Sequence, residues 1–448
     1  MLDSRRIAHT VLVRVEQGGA FANRALDAAL SEAGVLDPRD VALATELAYG
    51  TLRRQIGIDH ALRHFSKRPL EELEPDTRAL LRLGAHQILN LRIPDRASVH
   101  ATVELAKEIR SGRPVPFVNA VLRALARERA NVLVPPPAVD AAGYLEVTES
   151  FPRWFVEELL SERSFEETRA LLAALNQPAP LNLRVNLRRG TRAEAQRVLT
   201  GTYGLDSLPV RHSPSGLVLD ALAPALLLRP EEGRWQAQDE AAQLVGYFAA
   251  PEPGASVLDA CAAPGGKTCH IAEMMDDRGR VDAIDVHPNK VREVNDGARR
   301  LGLSIVRAEA GDATMPVAHA PRGGYDLVMA DAPCSGWGTV RRHPELKTRR
   351  TAADTARLAE LQSRILDNLS GVVKPGGVFV YALCTFTPEE GSRQVERFLA
   401  RHPDFVRDAP PAGPVDFGPL TSPEGDLVLD PHRHGTDAFY AARLRRRA

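Results

Sequence analysis

Ser256-Val257-Leu258-Asp259-Ala260-Cys261-Ala262-Ala263-Pro264-Gly265-Gly266-Lys267-Thr268 is the stretch on which the reading of this chain turns. Ser256 to Asp259 reads as a short apolar strand, and a run of small residues follows it before a helix begins. Small side chains let a backbone approach a ligand closely, and the free N–H groups of a helix N-terminus favour an anionic group. The run matches neither G-x-G-x-x-G nor the phosphate-binding G-x-x-x-x-G-K-[ST] pattern, which argues against a nucleoside triphosphate.

Outward from that loop the pattern is repeated strand, loop and helix. Strands are expected at Arg280–Asp285, Tyr325–Asp331 and Val378–Ala382, with helical stretches such as Leu358–Leu366 between them. This alternation predicts a mainly parallel, doubly wound α/β sheet of Rossmann-like class, with ligands held beyond the carboxyl ends of its strands. Asp285 closes the second strand, 20 residues after Gly265, where an acid pairs with ribose hydroxyls. Asp312 follows a further strand and is placed to bond an adenine amino group. A ribose, an adenine and a carboxylate without phosphates describe S-adenosylmethionine. The expected cofactor site is Cys261, Ala262, Ala263, Pro264, Gly265, Gly266, Lys267, Asp285, Asp312 and Asp331.

Two of the four cysteines, Cys334 and Cys384, fall just past predicted strand ends. Carbon 5 of a pyrimidine is a poor nucleophile toward a methyl sulfonium. A thiolate adding to carbon 6 makes it enamine-like, and a base must then remove the carbon 5 proton before the thiol leaves. The chemistry needs a reactive cysteine and an acid at ring N3, for which Asp331 is well placed, and it has work for a second thiol. Chemistry alone does not rank Cys334 and Cys384. Cys261 and Cys269 read as small hydrophobes, with Cys261 also able to line the cofactor through its backbone.

The first third of the chain reads as helices. Val118, Val121, Leu122 and Leu125 follow the spacing of one helix face, as do Leu81, Ala85 and Ile88. Pro135-Pro136-Pro137 reads as a linker. Next, Leu181, Leu183, Val185 and Leu187 alternate with Asn182, Arg184, Asn186 and Arg188, a strand whose polar face is offered to RNA or to solvent. Thr191 with Glu194 reads as a capping box, and Gly216–Leu219 as a second strand. Expected domains are an all-helical 1–135, a small α+β module at 145–232 and the α/β domain at 233–448.

Composition bounds the function. With 448 residues, 44% hydrophobic and 26% charged, the chain is that of a globular protein of two or three domains. No apolar run of membrane-spanning length and no signal-type N-terminus is present, and no C-x-x-C pair suggests a zinc site or disulfide framework. The expectation is a cytoplasmic, reduced protein without a metal. The net charge of −1 conceals 20 basic against 16 acidic residues up to Pro135, compatible with RNA binding. Arg443 and Arg445-Arg446-Arg447 read as a solvated basic tail, and His432 and His434 lack the company of metal ligands.

Cys261–Lys267, Asp331-Ala332-Pro333-Cys334-Ser335-Gly336, Arg341-Arg342-His343-Pro344 and Cys384-Thr385 with Pro388-Glu389-Glu390 resemble the RNA 5-methylcytosine methyltransferases. Pro116–Arg123 resembles the NusB-like RNA-binding domain. That domain is fused to such an enzyme in the bacterial small-subunit ribosomal RNA methyltransferase B (RsmB/Sun-type) family, and the resemblance covers essentially the whole chain. It implies Cys384 as nucleophile, Cys334 in release of the methylated base, and 16S rRNA or a small-subunit assembly intermediate as the partner of a monomer. A tRNA substrate, or a non-catalytic RNA-binding factor, are the alternatives. Two departures stand out: Leu383 where the family has Thr, and Asp437-Ala438-Phe439-Tyr440 where it has Asp-Gly-Phe-Phe.

Overall fold

The computed structural model describes residues 2–109, 114–219 and 233–448; the boundary expected at 232 lies outside them. The described residues form two compact units, one of 1–178 with 340–350, the other of 179–339 with 351–448.

The first unit is helical, as its periodicity predicts. Helices Pro38–Arg53, Pro75–Asn90 and Val115–Glu128 bury Leu47, Leu81, Ala85, Ile88, Val118, Val121, Leu122 and Leu125 in one core. The first of them is capped by Asp37, which accepts from the Arg39 N–H, with Pro38 at the first helical position. The unit extends past the triple proline, through helices Ala141–Glu149, Arg153–Glu162 and Phe165–Leu175. It also takes in 340–350, far away in sequence. There Lys347, 1% exposed, donates to the Arg53 carbonyl (2.9 Å) and Asn176 Oδ1 (2.6 Å), with its ammonium 3.7 Å from the Phe151 ring centroid.

The second unit carries two sheets. The smaller is antiparallel in the order β2 (Ser207–Pro209), β3 (Gly216–Leu219), β1 (Leu181–Val185), β4 (Trp235–Ala237). The expected capping box of Thr191 and Glu194 opens its helix, Arg192–Tyr203. Leu183, Val185, Leu199, Leu217 and Trp235 form its core.

The larger sheet contains β5 (Ser256–Ala260), β6 (Arg280–Asp285), β7 (Val306–Ala310), β8 (Tyr325–Asp331), β9 (Val373–Leu383), β10 (Phe405–Arg407), β11 (Leu427–Leu429) and β12 (Phe439–Arg446). Its order is β10-β12-β9-β8-β5-β6-β7, with β11 also pairing β12. The block from β9 to β7 is parallel, as expected, with β5, β6 and β8 mostly buried and the edge strand β7 largely exposed; β10, β11 and β12 add an antiparallel edge.

Two sequence expectations are corrected. The strand ends at Val185, and most of the expected polar face is neither solvated nor open to RNA: Asn182, Arg184 and, just past the strand, Asn186 are buried, while Leu187 and Arg188 are exposed. Arg184 grips Glu273 with Nε (3.1 Å) and Nη2 (2.8 Å) and donates through Nη1 to the Gly266 carbonyl (2.7 Å). Asn186 donates to the carbonyls of Gly233 and Leu301. Nor is the C-terminal run a solvated tail. Arg443, Arg445 and Arg446 lie in β12, where Arg443 and Arg445 share Asp408 and Arg446 pairs with Asp404, and only Arg447 lies beyond the strand, exposed. Alternation marks which residues share a face, but not what covers the face.

Candidate active site

Cys261–Lys267, Asp285, Asp312, Asp331, Cys334 and Cys384 lie at or just past the carboxyl ends of β5, β6, β7, β8 and β9, whereas Arg341–Pro344 belong to the helical unit. Parallel pairing of β5 with β6 and β8 brings the loop after Ala260 beside the ends of those strands, at Asp285 and Asp331. The loop turns sharply. Cys261 holds φ +62°, and Gly265 holds φ +96° directly before helix Gly266–Met274. A Cβ on Gly265 would meet the Val294 Cα at 3.0 Å, so this position requires glycine on both counts.

Asp285 is tied down by its neighbours: Oδ2 accepts from the Ala263 N–H (3.2 Å) and Oδ1 from the His287 N–H (2.9 Å). Asp312 is exposed, its Oδ1 taking the Thr314 N–H (2.8 Å) and hydroxyl (2.7 Å), which hold the carboxyl below its usual range. Lys267 reaches Asp331 Oδ2 at 2.7 Å and lies 5.0 Å from the Phe439 ring centroid. Burial pulls the Lys267 ammonium toward neutrality, but Asp331 outweighs it and the group is held above its ordinary value.

One acid escaped the sequence reading as a site member. Asp259 is fully buried. Its Oδ2 accepts from the Thr268 hydroxyl at 2.5 Å, and its Oδ1 has no hydrogen-bond partner among the described residues. Burial foremost, together with the charges of Asp331 and Asp285, pushes this carboxyl up to about 7. The strand pattern had assigned it only to the end of β5.

The two thiols are neighbours. Parallel pairing sets Asp331 opposite Ala382, so the chains leaving β8 and β9 run out side by side. Cys334 Sγ and Cys384 Sγ lie 3.3 Å apart, with no disulfide between them. Cys334 is raised well above an ordinary thiol, first by the hydrogen bond to Cys384, then by burial and by the negative charges of Cys384 and Glu390. Cys269 is buried in the core, and Cys261, also raised chiefly by burial, is partly exposed. The departures from the family pattern are accommodated: Leu383 is fully buried, and the Tyr440 hydroxyl donates to Asp426 Oδ2 at 2.6 Å.

S-adenosylmethionine suits this edge. The cradle demands glycine at Gly265, two carboxylates stand beyond β6 and β7, and a buried carboxyl oxygen on Asp259 has no hydrogen-bond partner among the described residues. No phosphate-binding cation cluster is needed. Among the described residues there is no metal-binding group of His, Cys, Asp or Glu, and no helix is long and apolar enough to cross a membrane.

Comparison with known proteins gives the same picture along the chain. Residues 247–445 match the 16S rRNA methyltransferase RsmB/F model, 2–127 the NusB family, and 151–225 the ferredoxin-like domain of RsmF/B-like methyltransferases. The probable ribosomal RNA small subunit methyltransferase B of Bacillus subtilis is 35% identical, over 99% of this chain and 98% of its own. The ribosomal RNA small subunit methyltransferase B of Vibrio cholerae is also 35% identical, with the same coverage. Among solved structures, the crystal structure of PH0851 superposes with a TM-score of 0.83 at 26% identity, covering 99% of this chain and 98% of that one. With full-length relatives at this identity, the chain belongs to the ribosomal RNA small subunit methyltransferase B family.

Proposed function

We propose that this methyltransferase acts on carbon 5 of a cytosine in 16S rRNA through a covalent adduct with Cys384. The observation that carries the reading is the pair of thiols, unbridged by a disulfide and 3.3 Å apart, at the strand edge that also holds the Lys267–Asp331 pair. S-adenosylmethionine, the methyl donor, supplies an electrophilic methyl group when bound against Cys261–Lys267, Asp285, Asp312 and Asp331.

In this reading the Cys384 sulfur bonds to carbon 6, and the electrons of the 5,6 double bond move toward carbon 5. Asp331 holds the ring at N3, with Lys267 beside it offsetting negative charge as it develops. Carbon 5 takes the methyl group and loses its proton to a base. The carbon 6–sulfur bond then breaks, restoring the double bond. Cys334, kept as a thiol, is close enough to Cys384 to serve that release. The cytosine must leave its stack for a thiol to reach carbon 6. The NusB-like helices and the ferredoxin-like module bind the RNA.

Cys384→Ala should abolish methyl transfer while S-adenosylmethionine still binds, and Cys334→Ala should accumulate a covalent protein–RNA adduct on a denaturing gel. Retained turnover by Cys384→Ala would reassign the nucleophile. Bisulfite sequencing of rRNA and tRNA from a deletion strain identifies the modified base.

A further inference from the structure

Glu390 is completely buried, yet among the described residues no lysine or arginine pairs with it. Its carboxylate is satisfied by neutral donors. Oε1 accepts from the Ser335 N–H (2.8 Å) and Gln362 Nε2 (3.0 Å). Oε2 accepts from the Thr387 hydroxyl (2.9 Å) and, in a very short bond, from the Ser335 hydroxyl. The Ser335 hydroxyl also meets Thr385 Oγ1 at 2.9 Å, and the Tyr381 hydroxyl fixes the Glu390 carbonyl at 2.8 Å. Ser335 follows Cys334 directly, and Thr385 follows Cys384 directly. The last ladder pair between β8 and β9 is Asp331 with Ala382, so the strand pairing ends before either cysteine.

We propose that Glu390 is a positioning residue for the two-thiol chemistry, a buried carboxylate that replaces the strand ladder beyond β8 and β9 and clamps the Cys334 and Cys384 loops at a fixed separation. The proposal rests on the two-thiol reading above. A buried carboxylate costs several kcal/mol unless its lone pairs are filled, and charge-assisted hydrogen bonds are stronger and more directional than neutral ones. Four such bonds, two from Ser335 and one each from Thr387 and Gln362, with Ser335 bonded in turn to Thr385, make a stiff bracket. A network serving the fold alone has no need to join the residues immediately following both thiols. The charge has a second effect. It opposes a thiolate on Cys334 and so favours the protonated thiol there.

The test compares the full chain with Glu390→Gln, Glu390→Asp and Ser335→Ala. Displacing reacting groups by about 1 Å costs on the order of 10²-fold in rate. Glu390→Gln should therefore lower kcat by roughly 10² while KM for S-adenosylmethionine stays within about threefold, since the clamp does not touch Asp285 or Gly265. In the RNA-free protein, iodoacetamide labelling followed by peptide mapping should show Cys334 reacting at lower pH in Glu390→Gln. Glu390→Asp, which keeps the charge on a shorter arm, should lose kcat without that shift. A folded Glu390→Gln protein with wild-type kcat and labelling profile overturns the proposal. If Glu390→Gln does not fold, Ser335→Ala decides: a fall in kcat at unchanged KM supports the clamp, and wild-type kcat overturns it. Methyl transfer by Cys384→Ala would sink the two-thiol reading instead, and the RNA-free labelling keeps the two failures apart.

Discussion

Arg184→Met should destabilise the methyltransferase unit more than any surface substitution. The Arg184 side chain is fully buried and that of its partner Glu273 is 6% exposed, and the guanidinium makes two bonds to the carboxylate and one to the Gly266 carbonyl. Removing one member of a buried pair leaves an unpaired charge and costs about 3–5 kcal/mol, whereas replacing both by apolar residues is often neutral. For a unit of this size each kcal/mol moves the melting temperature by roughly 2–4 °C. Calorimetry should then show the unit's transition falling by roughly 6–20 °C in Arg184→Met and recovering much of that in the Arg184→Met/Glu273→Leu double variant. Because the Gly266 carbonyl starts the helix behind the cofactor loop, affinity for S-adenosylmethionine should fall in both. A double variant that melts as low as the sum of the two singles would refute the coupling argument.

Three further outcomes follow from named groups. Asp259, raised in the folded state from 3.8 to about 7, binds a proton there that the unfolded chain has released. Its stabilisation is complete below about 3.8 and is lost as pH rises through 7, a difference on the order of 4 kcal/mol; Asp259→Asn should flatten that part of a stability-against-pH curve. Lys347 is lowered well below 10.5, chiefly by burial and then by Arg54 and Arg53. The unfolded chain therefore holds the extra proton, stability of the helical unit should climb as pH approaches 10.5, and Lys347→Met should lose the slope in denaturant titrations. Gly265→Ala, forced into φ +96° with 3.0 Å to Val294 Cα, should weaken S-adenosylmethionine binding roughly 5- to 150-fold by calorimetric titration, through strain of about 1–3 kcal/mol.

The sheet was legible because its strands are short apolar runs ended by acids and small residues. Arg280–Asp285 and Tyr325–Asp331 are strands with the bounds their pattern predicts. The gathering of Asp285, Asp331, Cys334 and Cys384 was legible for a related reason: parallel strands all end at one edge. What periodicity cannot carry is the identity of a covering partner. Arg184 looked like solvent-facing alternation because nothing local announces Glu273, 89 positions later. The buried acids Asp259 and Glu390 were hidden likewise, since each is defined by donors arriving from other segments. The docking of 340–350 in the helical unit was invisible for the same cause.

That docking has a consequence for how the protein is made. A ribosome finishes residue 178 long before it reaches Lys347, so the emerging helical unit waits with Asn176 Oδ1 and the Arg53 carbonyl lacking the donor they have in the finished unit. Domains usually fold in the order of synthesis, each as it appears. Here the first unit is completed only after four of the eight strands of the larger sheet, β5 to β8, have been translated, and no single cut in the chain separates the two.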